Sequence, residues 1–341
     1  MKKHIILFVV ILLTNAATAQ NASSISENGL VNWLSFEEAQ ELYKKQPKPF
    51  IIDVYTDWCG WCKHMIRTTY SDKGVADYVN ANFYPIKFNA ETKDTIEYNG
   101  VKYVSTGTDK RSPHELAVKL IGQRLSYPST LFVSNNFQFN LLSQGYIETK
   151  TLLPLLVFTV ENVYRNSNYE DFKVNFNKAF FDTVIMPPSV KWHSMSEALE
   201  LQKTKPKKII VDISTGFCNS CKVMNLTSFN DEKLAKYIDT TFYLVDFNAE
   251  SKDTIIINGT RFYNDGTTPF HPLANALTMN RFELPSLVIL NETLEIIDIV
   301  PFYLSGKALE PIVHYFGDNE YKSLKWQEYL NKQEKTPLNT D

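Results

Sequence analysis

The chain has 341 residues, of which 44% are hydrophobic, 21% charged and 13% aromatic, and its formal net charge is −3. That length exceeds what one hydrophobic core normally serves, so two domains are expected, and the composition excludes a disordered or fibrous protein. A mildly acidic chain without a basic run excludes nucleic acid as an expected partner.

The first 19 residues read as a signal peptide. Lys2 and Lys3 supply the positive start, Ile5 to Leu13 is an unbroken apolar run, and Ala17-Thr18-Ala19 fits a cleavage site before Gln20. The run is short of the roughly 20 apolar residues of a membrane span. No cysteine follows it for lipid attachment. An uncleaved anchor is the alternative; the expectation is an exported, periplasmic protein without stable membrane insertion.

Ser35-Phe36-Glu37-Glu38 then forms a capping box before an amphipathic helix. Pro49 to Tyr55 is an apolar, β-branched run, as in a central strand covered on both faces. Cys59-Gly60-Trp61-Cys62 follows and should open a helix, and Phe83 to Phe88 supplies another strand. Thr95 to Val104 alternates around Asn99-Gly100, the signature of a type I′ hairpin. Next come a helix near His114 to Ile121, a strand after Pro128, a second strand, and an apolar helix over Leu152 to Val160 containing Pro154. Tyr169 to Phe180 reads as a further helix that the first half of the chain adds, and residues 182–190, with Pro187-Pro188, as a linker.

Beyond the linker the chain repeats itself. Cys59 and Cys218 lie 159 residues apart, and the same offset joins Phe88-Asn89-Ala90-Glu91 to Phe247-Asn248-Ala249-Glu250 and Asn99-Gly100 to Asn258-Gly259. Ser194 to Glu197 repeats the capping box, and Ile209 to Ile213 the buried strand. Pro128-Ser129 matches Pro285-Ser286 at an offset of 157, so one copy has gained or lost two residues. A period this long means domain duplication rather than a solenoid, with domains expected at 20–181 and 191–335.

The cysteines number four and fall in two C-x-x-C pairs, Cys59/Cys62 and Cys218/Cys221. A sulfur at a helix start is stabilised as thiolate by unpaired N–H groups and the helix dipole, and the thiolate is the attacking species in disulfide exchange. Cys62 lies one helical turn on, within bonding distance, and can resolve a mixed disulfide. Two alternatives stay open. One is an inert structural disulfide, more so for the second pair. The other is thiolate ligation of a soft metal such as copper, for which a lone pair lacks further ligands.

The spacing of Asp53 before Cys59-x-x-Cys62-Lys63, and the later Tyr127-Pro128-Ser129-Thr130-Leu131-Phe132, resemble the thioredoxin superfamily. The similarity is nearest to exported thioredoxin-like proteins related to the C-terminal domain of the transmembrane disulfide reductases, through Cys62-Lys63-His64-Met65 and Thr69-Tyr70-Ser71-Asp72. The resemblance implies an α/β fold class of two tandem thioredoxin folds, each a central mixed sheet flanked by helices with an inserted β-hairpin. It implies a thiol–disulfide oxidoreductase with catalytic Cys59, Cys62, Cys218 and Cys221. Asp53 and Asp212 would be buried acids moving a proton for the second cysteine of each pair. Pro128 and Pro285 match the family's cis-proline, with Tyr127 and Leu284 offering backbone to a substrate. Trp58 would shield the reactive thiol, and Gly60-Trp61, between the cysteines, would tune it and meet the partner.

Copy two departs from this pattern, with Phe217 for Trp58 and Asn219-Ser220 between its cysteines. It is therefore expected as a weaker redox centre or a docking domain. No cofactor is implied and no metal is expected. The partners implied are thiols and disulfides of exported proteins, and a membrane-bound or soluble thiol reductant. The hairpins at 94–104 and 253–263 could shape a partner surface. A redox-inactive scaffold and copper handling are the rival functions.

Overall fold

Helix starts follow from local side-chain chemistry. Ser35 caps α1 (Phe36–Lys45) and exchanges hydrogen bonds with Glu38, and Asp72, Asn168, Ser194, Asp231 and Ser305 each accept the N–H three residues on at the start of a later helix. Each satisfies a donor that the first helical turn leaves unpaired. The structure is a computed structural model describing residues 28–105, 107–182 and 189–335. The expected signal peptide at 1–19 and residues 183–188 of the expected linker lie outside the described residues.

The first copy continues with β1 (Phe50–Tyr55), α2 (Gly60–Arg67), α3 (Lys73–Asn82), β2 (Tyr84–Asn89), the hairpin β3 (Ile96–Tyr98) and β4 (Val101–Tyr103), and α4 (Glu115–Ile121). It ends with β5 (Ser129–Val133), β6 (Asn140–Gln144), α5 (Thr149–Val160) and α6 (Tyr169–Phe180). The second copy runs β7 (Trp192–His193), α7 (Met195–Thr204), β8 (Lys208–Ser214), α8 (Asn219–Val223), α9 (Glu232–Thr241), β9 (Phe242–Asn248), β10 (Ile255–Ile257), β11 (Thr260–Phe262) and α10 (Pro272–Leu277). It closes with β12 (Ser286–Leu290), β13 (Ile296–Pro301), α11 (Gly306–Gly317) and α12 (Trp326–Lys335).

Each copy is a thioredoxin fold. The first sheet has the order β2-β1-β5-β6 and the second β13-β12-β8-β9-β7, with β1–β2 and β8–β9 parallel and the pairs through β5 and β12 antiparallel. A single bridge, Leu34 to Ile86, stands where copy two has β7. The β1 and β8 residues are buried on both faces except for the last of each strand, as their predominantly apolar runs, interrupted by Asp53 and Asp212, lead one to expect.

Both hairpins turn as expected: Asn99, Gly100, Asn258 and Gly259 all have positive φ, which a type I′ turn demands. The first hairpin is fixed by packing against α1. Ile96 packs with Phe36 and Phe88 on the α1 face of the sheet, and Gln40 of α1 donates to Glu97 O and accepts from Asn99 N. The dithiol helix α2 lies on the opposite face, with Ile51 and Phe132. The two-residue change of offset falls in the loop beyond the hairpins, because His114 and His271, 157 apart, both cap their helices and both lie at about 3 Å from a backbone oxygen, of Asp94 and Asp253.

A correction concerns α6, which is no addition of copy one. Its counterpart α12 begins 157 residues later, with the aromatic positions Tyr169/Trp326 and Phe172/Tyr329 kept and little else. Only α6 is packed between copies. With α5 it joins α8, α9 and α11 in one apolar layer through Phe158, Phe172 and Phe176 on one side and Val223, Leu234 and Tyr303 on the other. The apolar α5 is thus shared, giving Leu152, Leu155 and Leu156 to the first core and Val157 and Phe158 to the interface.

Candidate functional site

The first dithiol sits where β1 hands over to α2. The loop is closed by the Cys59 N–H donating to Thr56 O at 3.1 Å, and Cys59 then caps the helix, its Sγ accepting the Cys62 N–H at 3.0 Å. The pair is joined as a disulfide with a Cα separation of 5.3 Å. Both sulfurs belong to buried residues, but the residues beside them are open: Trp58 is 54% and Trp61 62% exposed. Gly60 is the first residue of α2 and a Cβ there would meet nothing, so the approach to the helix start is clear.

Trp58 is held in place despite its exposure. Its Nε1–H donates to Glu91 at 2.9 Å, its ring meets Tyr127 edge-on at 6.1 Å, and Arg111 lies 5.7 Å from the ring centre. Tyr127 precedes Pro128 across a cis peptide bond, and Pro128 leads into β5, the neighbour of β1. Trp61 clusters with His64 and Tyr146 at 5.5 and 5.7 Å.

On the α2 face of β1, two residues beyond Ile51, lies Asp53, 2% exposed, with Oδ1 lacking a hydrogen-bond partner among the described residues. Burial pushes its pKa up to about 7; the Lys87 ammonium, opposite it in the β1–β2 register, works against this. A carboxyl poised near neutrality can hold or release a proton at the pH where a thiol must lose one.

Copy two repeats the frame and changes its charges. Cys218 caps α8 and accepts the Cys221 N–H at 3.1 Å, and the two form a disulfide, again with a Cα separation of 5.3 Å. The Leu284–Pro285 bond is cis and leads into β12. Phe217 is exposed and lies 6.3 Å from Phe270. Lacking an indole N–H, it leaves Glu250 to accept the Gly216 N–H at 2.7 Å. Asp212 is fully buried, and opposite it in the β8–β9 register stands Asp246, where copy one has Lys87. Burial and then the Asp246 charge hold the Asp212 carboxyl well above its usual range, and Asn225 approaches without closing a hydrogen bond of good geometry.

The sequence reading thus places its residues around two centres: Asp53, Trp58, Cys59, Gly60, Trp61, Cys62, Tyr127 and Pro128 at one, and Asp212, Cys218, Cys221, Leu284 and Pro285 at the other. It missed Lys87 and Asp246, which alignment at the 159-residue offset would have exposed beside Phe88-Asn89 and Phe247-Asn248. It also missed Glu161, the C-cap of α5, whose carboxyl reaches the second centre from the first copy. No local motif marks that residue.

Fold and centres together define a tandem thioredoxin-fold protein with two C-x-x-C disulfides. The profile of the family Thioredox_DsbH, described as protein of unknown function, DUF255, matches residues 21–152 and 177–263, well over half of the sequence, and the chain belongs to that family. No curated protein matches it. Among solved structures it is similar to a thioredoxin-fold protein from Helicobacter pylori (17% identity, 47% of this chain and 89% of that one, TM-score 0.29). It is also similar to a DsbH oxidoreductase (18%, 39% and 90%, TM-score 0.28) and to ERdj5 form I (10%, 87% and 31%, TM-score 0.27). No helix among the described residues is long and apolar enough to cross a membrane.

Proposed function

We propose that the chain is an exported thiol–disulfide oxidoreductase that works through Cys59 and Cys62 on thiols and disulfides of other exported proteins. The observation that carries this reading is the Cys59 sulfur at the start of α2, flanked in sequence by two exposed tryptophans, on the sheet face that also carries a buried acid whose pKa is near 7. In the reducing direction the Cys59 thiolate attacks a partner disulfide, forming a Cys59–partner bond and releasing the partner's other sulfur as a thiolate that takes up a proton. Asp53 accepts the Cys62 proton, and the Cys62 thiolate attacks Cys59 Sγ, breaking the Cys59–partner bond and releasing the partner's second sulfur as a thiolate that takes up a proton. The Cys59–Cys62 disulfide forms, and two electrons have passed to the partner. A thiol reductant of the same compartment then restores the dithiol. The reverse sequence oxidises a partner dithiol. In this reading Trp58, Gly60, Trp61, Tyr127 and Pro128 contact the partner, and the domains span 20–181 and 191–335.

The test is direct. Cys59→Ser should abolish reduction of a model protein disulfide, and Cys62→Ser should accumulate mixed disulfides seen on non-reducing gels. Equal rates for wild type and Cys59→Ser would end the proposal. The second centre, with Asp212, Cys218, Cys221, Leu284 and Pro285, enters the same reading as a weaker partner.

A further inference from the structure

The two dithiols differ most in what sits beside the first sulfur. At Cys59 no side chain among the described residues accepts the N–H groups of Gly60 and Trp61. At Cys218 the corresponding donors are taken by a carboxylate from the other copy. Glu161 accepts from Ser220 N at 2.6 Å and from both Asn219 N and Asn219 Nδ2 at 3.2 Å, and its Oε2 lies 3.8 Å from Cys218 Sγ. Tyr78 of α3 donates to the same carboxyl at 3.2 Å. No ion pair among the described residues includes Glu161.

The duplication shows that this contact is a product of the tandem arrangement. Tyr78 and Glu161 recur as Tyr237 and Asp318, whose hydrogen bond is 2.7 Å. Asp318, however, turns to His314 at 3.1 Å and is half exposed, facing no dithiol. The same acid at the end of the same helix meets a C-x-x-C only where a second copy follows.

We infer that Glu161 restrains the second dithiol: its carboxylate takes the N–H groups that would stabilise a Cys218 thiolate and sets a negative charge against that sulfur, so exchange is directed to Cys59. A thiolate at Cys59 meets no competing carboxylate on the N–H groups of Gly60 and Trp61 among the described residues. A thiolate at Cys218 would form beside Glu161, and a like charge at that distance disfavours ionisation. The reactivity of a cysteine follows its thiolate fraction. The titratable groups around Cys218 are Glu161 from α5, Tyr78 from α3, Glu283 from the loop before Pro285, Asp212 from β8 with Asp246 opposite it on β9, and Glu250. The nearby cation Lys222 is turned to the Phe180 ring at 4.5 Å. The pKa of Glu161 lies above its ordinary value, because burial outweighs the Ser220 and Asn219 hydrogen bonds that favour the charged form.

The experiment follows alkylation of each cysteine by iodoacetamide in the reduced full chain, as a function of pH, read site by site by mass spectrometry. In the wild type the Cys218 profile should lie at higher pH than that of Cys59. Glu161→Gln retains an oxygen for the two backbone donors and removes the charge. It should move the Cys218 midpoint down by about one pH unit, raising its rate at pH 7 about tenfold, with Cys59 unchanged. A Cys218 midpoint at or below that of Cys59 in the wild type overturns the inference, and this comparison needs no variant to fold. So does a Cys218 profile that Glu161→Gln leaves in place. An equal rise at both cysteines would mean loosened packing and also overturns it. Alkylation requires no turnover, so failure of the exchange proposal at Cys59 would leave these outcomes readable.

Discussion

Asp53→Asn tests the proton carrier of the first dithiol through stability. The carboxyl is carried from an ordinary value of 3.8 to about 7, and its side chain is almost wholly buried. Below pH 3.8 it is protonated in folded and unfolded chains alike and imposes no cost. Between 3.8 and about 7 the unfolded chain ionises while the folded chain stays neutral, so stability falls as pH rises and levels off above about 7. At about 1.4 kcal/mol per pH unit the loss amounts to about 4 kcal/mol. The amide of the Asp53→Asn variant cannot ionise, so the variant should gain on the wild type by about that amount between pH 4 and pH 8. Urea unfolding of the oxidised protein at both pH values gives the comparison, and the difference between variants cancels the contribution of Asp212, which runs in the same direction. Parallel loss of stability in wild type and Asp53→Asn would refute the claim that burial shifts this acid, and Asp53 would lose its place in the exchange mechanism.

The charge inversion between the copies gives two further tests. Asp246→Lys should lower the midpoint of Asp212, and Lys87→Asp should raise that of Asp53, both read from carboxyl carbon shifts in NMR titrations; unmoved midpoints would refute coupling across the sheet register. Phe172→Ala removes a fully buried ring that meets Tyr303 at 5.1 Å and Phe158 at 5.8 Å. It should lower the unfolding free energy by about 3–5 kcal/mol in urea titration, and a cost within 1 kcal/mol would refute the shared core.

The individual folds were legible because their signals are local. Hydrophobic runs, capping residues and the Asn-Gly turns each act over a few residues, and a turn that needs positive φ selects its residues wherever it occurs. The correspondence of α6 and α12 was harder to see, since only α6 is packed between the copies, so that its buried Phe176 is matched by Gln333 in α12.

The sequence alone determined two copies, two dithiols at helix starts, and the acids and prolines that frame them, because each is set by spacing along the chain. Only the tertiary structure decided that the copies share α5 and α6, that Lys87 and Asp246 oppose the buried acids, and that Glu161 reaches the second dithiol. The charged pairings join residues 34 to 59 positions apart and the shared helices reach further still, and side-chain electrostatics depends on distance in space, which the order of residues does not record.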